Sequence, residues 1–228
     1  MSTADPATSP RERLLQAARD VAVTDGLEGL TLRAIARRAG VSHGAPLRHF
    51  PTLAALLAAV AADGFARLIA TVDAALADAD EAAAARGDRL DARQRLAVAG
   101  QAYVRFALAD PGVFTVTFRP ERVDVADPGY QHHGMASFRQ LVDLVEAAQA
   151  EGWQADERAD VLAAVVWAHV HGVAELTLHG ALPGVVGEGA AGRVLALSTA
   201  LALGVDPAGV PSLEPSDPLT PSLEGDTR

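Results

Sequence analysis

The sequence contains no cysteine in its 228 residues, which removes disulfide frameworks and thiolate metal sites and fits a reducing compartment. Lysine is absent too, so the 19 basic side chains other than histidine are all arginine. A biased genome composition gives the same result, and no functional weight attaches to it. Aromatic residues make up only 4% of the chain. Ala, Leu and Val carry most of the apolar content, and the helix preference of Ala and Leu points to an all-α fold. Apolar runs such as Leu53 to Ala62 stop well short of the roughly 18 residues of a membrane span. Met1 to Pro10 is polar and lacks the apolar core of a signal peptide. The expectation is a soluble, cytoplasmic protein with no membrane partner.

Acid predominates overall, with a formal net charge of -10, which at first sight disfavours nucleic acid. The distribution says otherwise. Residues 1–50 hold seven Arg against five acids, and residues 51–228 hold 12 Arg against 24 acids. Between Thr31 and Phe50 there are four Arg (Arg33, Arg37, Arg38, Arg48), two His and no acid. A basic island on an acidic body suits a DNA-binding head.

Ser9-Pro10-Arg11-Glu12 has the form of a capping box with proline at the first helical position. Leu14, Ala18 and Val21 follow at helical spacing, and Asp25-Gly26 closes this helix. Thr31 caps a short helix to Ala39, Gly40-Val41 makes a turn, and Ser42 caps a third helix ending near Phe50-Pro51. Thr52 opens a long helix with Leu53, Leu57, Val60, Leu68, Val72 and Leu76 along one stripe. The Ala- and Asp-rich stretch from Ala77 to Arg89 is expected to end it. Further helical patterns cover about 91–109, 134–150, 157–180 and 190–204. Val113 to Phe118 alternates like a strand, but has no partner strand and follows the good helix start Asp110-Pro111, so a short helix is expected. The domain reading is a disordered N-terminus over 1–9, a helix-turn-helix domain over 10–52, a helical effector and dimerisation domain over 53–205, and a disordered tail over 206–228.

Short helix, glycine turn and short helix make a helix-turn-helix. Its second helix must show small or polar side chains to base edges while its neighbours hold phosphates. The segment Ser42-His43-Gly44-Ala45-Pro46-Leu47-Arg48-His49-Phe50 answers that description. The run Gly29-Leu30-Thr31-Leu32-Arg33-Ala34-Ile35-Ala36, with Gly40-Val41-Ser42 and His49-Phe50-Pro51, closely resembles the tetracycline-repressor (TetR) family over residues 10–60. The resemblance implies an all-helical homodimer whose C-terminal helices bind a small-molecule effector and form the dimer interface. It places Arg33, His43 and Arg48 near base edges, Ala45 against a thymine methyl, and Thr31, Ser42, His49 and Thr52 on phosphate. Leu47 and Leu53 stand where the family usually has a Tyr and a Lys that touch the DNA backbone. Thr31, Ser42 and Thr52 are also helix caps whatever the function. Trp167 with His171-Gly172 resembles the C-terminal subgroup known as the WHG domain.

Candidate effector residues are the aromatics of the body, Tyr103, Phe106, Phe114, Phe118, Phe138 and Trp167, together with His171; Met135 adds a soft side chain. Polar recognition would fall to Tyr103, Arg105 and His171, and the effector is expected to be apolar or aromatic. The helix over 159–180 is apolar on two sides, Leu162, Val165, His169 and Leu176 on one and Ala164, Trp167, Ala168 and Leu178 on the other. A helix of that kind must be covered twice. With Val194 to Val205 it forms the expected dimer interface. Two other classes of function compete: an all-α metalloenzyme using His171 and Glu175, which share a helix face, and an architectural DNA binder without an effector. His169 and His171 point to opposite sides and cannot share a metal. No phosphate loop or nucleophile elbow is present, so neither a catalytic residue, a metal nor a cofactor is expected.

Overall fold

Ser9 starts the first helix through local chemistry alone. Its hydroxyl accepts from the Glu12 N–H at 3.2 Å, and the Glu12 carboxylate accepts from the Ser9 N–H at 2.8 Å. This computed structural model describes residues 9–187 and 190–205; apart from Ser9, the two terminal segments expected to be disordered lie outside the described residues. Helix α1 runs from Pro10 to Thr24 and buries Leu14, Leu15, Ala18 and Val21. Gly26, with φ of 66°, turns the chain into the four-residue α2, Gly26–Gly29, which sequence periodicity gave no sign of. Thr31 caps α3, Leu32–Arg38, by accepting from Ala34 N–H at 3.1 Å. Helix α4 is short, Ala45–His49.

The third helix therefore begins later than Ser42. Ser42 contributes its carbonyl, which accepts from Ala45 N–H at 2.9 Å, while Gly44 occupies the cap position. Gly44 and Pro46 are the reason. Glycine disfavours helix, and Pro46 lacks the N–H that a helix starting at Ser42 would bond to the Ser42 carbonyl.

Helix α5 spans Leu53–Ala85. The Ala- and Asp-rich stretch continues the helix instead of ending it, because alanine is the strongest helix former; Gly87, with φ of 74°, terminates the chain segment just beyond. Helices α6, Ala92–Ala109, and α7, Pro111–Thr117, follow. The Asp110 carboxylate caps α7 through Val113 N–H at 3.1 Å, so the strand-like segment is helical as expected. Helix α8, Pro128–Ala150, begins six residues before the expected start because Asp127 caps it through Tyr130 N–H. Helices α9, Ala159–Leu178, α10, Ala181–Val186, and α11, Ala190–Leu203, complete the described residues, which contain no strand.

The chain divides into two units, the first made of residues up to Ile69 with Asp110–Phe138, the second of Ala70–Ala109 with the residues from Arg139 onward. The first unit thus extends beyond the expected boundary at residue 52. It does so because α7 lies against α1. At Gly112 the two backbones approach so closely that a Cβ would stand 2.6 Å from the Arg19 carbonyl oxygen. Arg19 also pairs with Asp63 of α5 at 2.5 Å, and Arg122 donates to the Leu27 carbonyl at 2.5 Å. Phe65, Phe114, Phe118 and Tyr130 interlock as ring pairs 5.0–5.7 Å apart in this unit's core.

In the second unit α6 packs on α9 and α11. Gly100 admits the close approach, since a Cβ there would meet Val170 Cγ1 at 3.2 Å. Helix α9 buries Ala163, Val170, Val173 and Ala174. Its opposite face is uncovered: Val161, Ala164, Val165, Ala168 and Leu176 are exposed, Val165 by 60%. The covered face is neither of the two expected: Val165 and Leu176 of one, and Ala164, Trp167 and Ala168 of the other, are exposed. Helix α11 likewise exposes Leu197 and Leu201. By length and composition α5 and α9 are apolar enough to cross a bilayer, with mean hydropathy of 1.8 and 1.5 over their best windows. Counting uninterrupted apolar runs missed this because isolated Asp, Gly, Arg and His residues break them.

Candidate functional site

The reading head is built on α3 and α4. Ile35 and Ala36 of α3, Pro46 of α4 and Phe50 after it are buried, which turns the remaining side chains outward. Gly40 adopts φ of 64° with open space around its Cβ position, so glycine is required there for backbone conformation. Thr31, Arg33, Ser42, His43, Leu47, Arg48, His49 and Thr52 are all exposed, and Ala45 is half-buried. Among the described residues Arg33, Arg37 and Arg48 make no ion pair, whereas Arg38 is held by Asp20 at 3.3 Å. Three guanidinium groups without carboxylates on one small head are free to meet phosphates or base edges.

Both threonines act as caps, Thr52 by accepting from Ala55 N–H at 3.0 Å. Leu47 is 57% exposed on α4, an apolar side chain presented where the resemblance puts a tyrosine. Arg11 was not singled out from the sequence. Its guanidinium lies 5.2 Å from the centre of the Phe50 ring and ties the start of α1 to the end of α4. No local signal announces that contact, because 39 positions of chain separate the partners.

The effector candidates fall in both units. Phe114 and Phe118 belong to the aromatic core of the first unit, where Phe114 is fully buried. Phe138 is half-buried on α8, and Phe106 is buried on α6. Tyr103, Trp167 and His171 do come together in the second unit. The Trp167 indole N–H donates to the Tyr103 hydroxyl at 3.2 Å, and that hydroxyl lies 2.8 Å from His171 Nδ1. Burial pushes the Tyr103 hydroxyl above its ordinary range. Nε2 of His171 faces the Glu175 carboxylate at 3.7 Å. His179 sits 3.2 Å from the same carboxylate. Both ring nitrogens of His171 thus face protein groups, and among the described residues no three His, Asp or Glu side chains converge as metal ligands. A second link joins α9 to α11, Ser198 Oγ to His169 Nε2 at 3.1 Å, and burial lowers the His169 pKa.

The trio ties α6 to α9, and Tyr103→Phe tests it. Removing the hydroxyl deletes both of the hydrogen bonds it makes here, which should cost about 1–3 kcal/mol. Thermal unfolding followed by tryptophan fluorescence measures that loss.

Residues 14–60 match the family described as bacterial regulatory proteins, tetR family. Residues 96–205 match the tetracyclin repressor-like, C-terminal domain. A solved protein of unknown function from Rhodococcus sp. RHA1 is 35% identical, over 89% of this chain and 98% of its own, with a TM-score of 0.69. A bacterial regulatory protein of the tetR family from Rhodococcus RHA1 shares the fold at 19% identity, covering 91% of this chain and 100% of its own, with a TM-score of 0.63. The fatty acid degradation regulator FadR from Bacillus halodurans does so at 13% identity, covering 89% and 97%, with a TM-score of 0.64. None of the curated proteins matches. With its helix-turn-helix head and its helical body each matching a module of that name, the chain belongs to the TetR family of bacterial transcriptional regulators.

Proposed function

We propose that this regulator is a cytoplasmic repressor that binds a palindromic operator as a homodimer and is released by a small apolar or aromatic effector. The observation that carries DNA reading is the acid-free run Thr31–Phe50, with Arg33, His43 and Arg48 exposed and without ion pairs among the described residues. The homodimer rests on the open apolar faces of α9 and α11. From Val161 to Ala174 α9 carries no Asp, Glu or Arg, and a second copy of the same face covers it without burying a charge. Assigning that face to a second copy leaves no role for a membrane. A two-fold dimer presents two recognition helices, so half-sites mirror each other about one helical turn or a multiple of it apart.

Arg48→Ala should relax base preference at one position of each half-site, at a cost of about 1–3 kcal/mol there. Thr52→Ala should weaken every sequence alike, through its phosphate contact and its cap. Selection of bound DNA from a random library measures both. An unchanged consensus with Arg48→Ala would remove that residue from base reading.

For the effector, the hydrogen-bonded group Tyr103, Trp167 and His171 centres the reading on the second unit. Helices α6 and α9, tied by Tyr103 and His171, are the elements whose relative position a ligand would set. It acts only if it prefers the conformation in which the heads misfit the operator, by about 5 kcal/mol for a full swing from bound to released.

A further inference from the structure

We propose that Arg11, in the first turn of α1, is a phosphate contact of the reading head: held against Phe50, its guanidinium binds the DNA backbone beside the end of α4. This rests on the DNA-reading function above and adds to it a residue outside the helix-turn-helix.

Residues 1–50 hold seven arginines, and the fold sorts them. Arg19 pairs with Asp63, and Arg38 with Asp20. Arg13 is half-buried, with its Nε shut away from water. Arg11, Arg33, Arg37 and Arg48 are exposed and make no ion pair among the described residues. Three of these four lie on α3 and α4, and Arg11 alone comes from another helix.

Local chemistry gives Arg11 no reason to be a cation. A positive charge in the first turn meets the positive end of the helix dipole. The neighbouring Glu12 carboxylate is already engaged, accepting from the Ser9 N–H at 2.8 Å. Arg11 is instead held by the end of α4, with its guanidinium 5.2 Å from the centre of the Phe50 ring. An apolar stem would cover that ring as well. The packing therefore accounts for where the side chain sits, and leaves the charge it brings there to be explained.

The surroundings of Phe50 are those of a phosphate site short of a cation. His49 and Thr52 are exposed, and both can hydrogen-bond a phosphate, but neither carries a permanent charge. With successive Cα atoms about 3.8 Å apart, both lie beside the ring that Arg11 covers. Leu47, 57% exposed, and Leu53 offer a phosphate nothing. Residues 51–228 hold 24 acids against 12 Arg, so the body repels DNA and attraction to the backbone falls to the head. A guanidinium fork at the edge of α4 supplies it, and its planar donors match phosphate oxygens.

The test compares the full chain with Arg11→Met, which keeps a stem over Phe50 without the charge, and Arg11→Lys, which keeps a charge. Each is titrated with the operator selected by the parent and with an unrelated duplex of the same length, between ~50 and ~200 mM salt. Arg11→Met should weaken both duplexes by the same factor, roughly threefold or more for each bound head, and lower the salt slope by about one per head. The consensus selected from a random library should not change, and the melting temperature should stay near that of the parent. Arg11→Lys should restore most of the affinity and the slope. The proposal is overturned if Arg11→Met keeps the parent's slope, if it alters the consensus, or if affinity falls only in step with the folded fraction, as a purely structural staple requires. A parent that binds no DNA overturns the DNA reading and this contact with it, whereas a parent that selects an operator, with an unchanged slope in Arg11→Met, overturns the contact alone.

Discussion

Gly172→Arg should convert the proposed homodimer to a monomer without weakening the fold of the single chain. Gly172 lies on the open stripe of α9 with Ala164, Ala168 and Leu176, and a Cβ built on it meets nothing within 4 Å. Within one chain, then, a side chain there has room. Replacing a mid-helix glycine also favours the helix, by up to about 1 kcal/mol. In the proposed homodimer the same side chain is pushed into the partner's apolar face, and each copy would carry an added cation into it, the Glu175 carboxylate already standing beside His171 and His179. The penalty for such uncompensated charges is several kcal/mol. Operator affinity should fall with it. Two linked heads gain roughly 10²–10⁴ over one through effective concentration, so a loss of about a hundredfold or more is expected. Light scattering at micromolar concentration and a gel-shift titration check the two halves, with Gly172→Ala as a variant that stays dimeric. A dimer of normal operator affinity carrying Gly172→Arg would move the interface elsewhere.

What the sequence makes legible here is what acts over a few residues. The Ser9–Glu12 box, the Thr31 cap, the glycine turns at Gly26 and Gly40 and the Asp110 start of α7 are each fixed by neighbours three or four positions away. Where two local signals conflict, the boundary shifts. Ser42 favours an early start for α4, Gly44 and Pro46 favour a late one, and the late one prevails. Composition misleads at α5, where aspartates among alanines read as a breaker yet stay helical.

Grouping across the fold is harder to foresee. Helical periodicity gives the face a side chain occupies but not the helix it meets. Tyr103 and Phe114 are both buried aromatics only 11 positions apart, yet they serve different units. The contact of Arg11 with Phe50, and that of Arg122 with Leu27, join segments no periodic pattern connects. On the reading head the outward residue types were legible. The absence of ion pairs on Arg33 and Arg48, the property that leaves them available to DNA, emerges only from the packed structure.

Phe114→Ala should be the most damaging single truncation in the first unit. The side chain is fully buried, its ring lies 5.0 Å from that of Phe118, and Phe118 in turn meets Phe65 edge-on at 5.6 Å. Removing a buried phenyl costs about 3–5 kcal/mol, and the cost is greatest where surrounding atoms cannot collapse into the space. Helix α7 has little freedom to do so. Gly112 already places its backbone against the Arg19 carbonyl, Asp110 fixes the first turn, and Val113 and Thr117 stand against Gly64. The upper part of the range is therefore expected, against a total stability of about 5–15 kcal/mol for an ordinary domain. Because α1 packs on α7, the reading head should lose its support together with the core, and operator binding should fall in step with the folded fraction. Urea unfolding followed by circular dichroism gives the stability change, and a gel-shift titration at low temperature, where the variant stays folded, should return nearly the parent affinity. A loss below about 2 kcal/mol, less than the usual cost of emptying a rigid aromatic site, would mean that α7 can close over the gap and is not locked onto α1 as described.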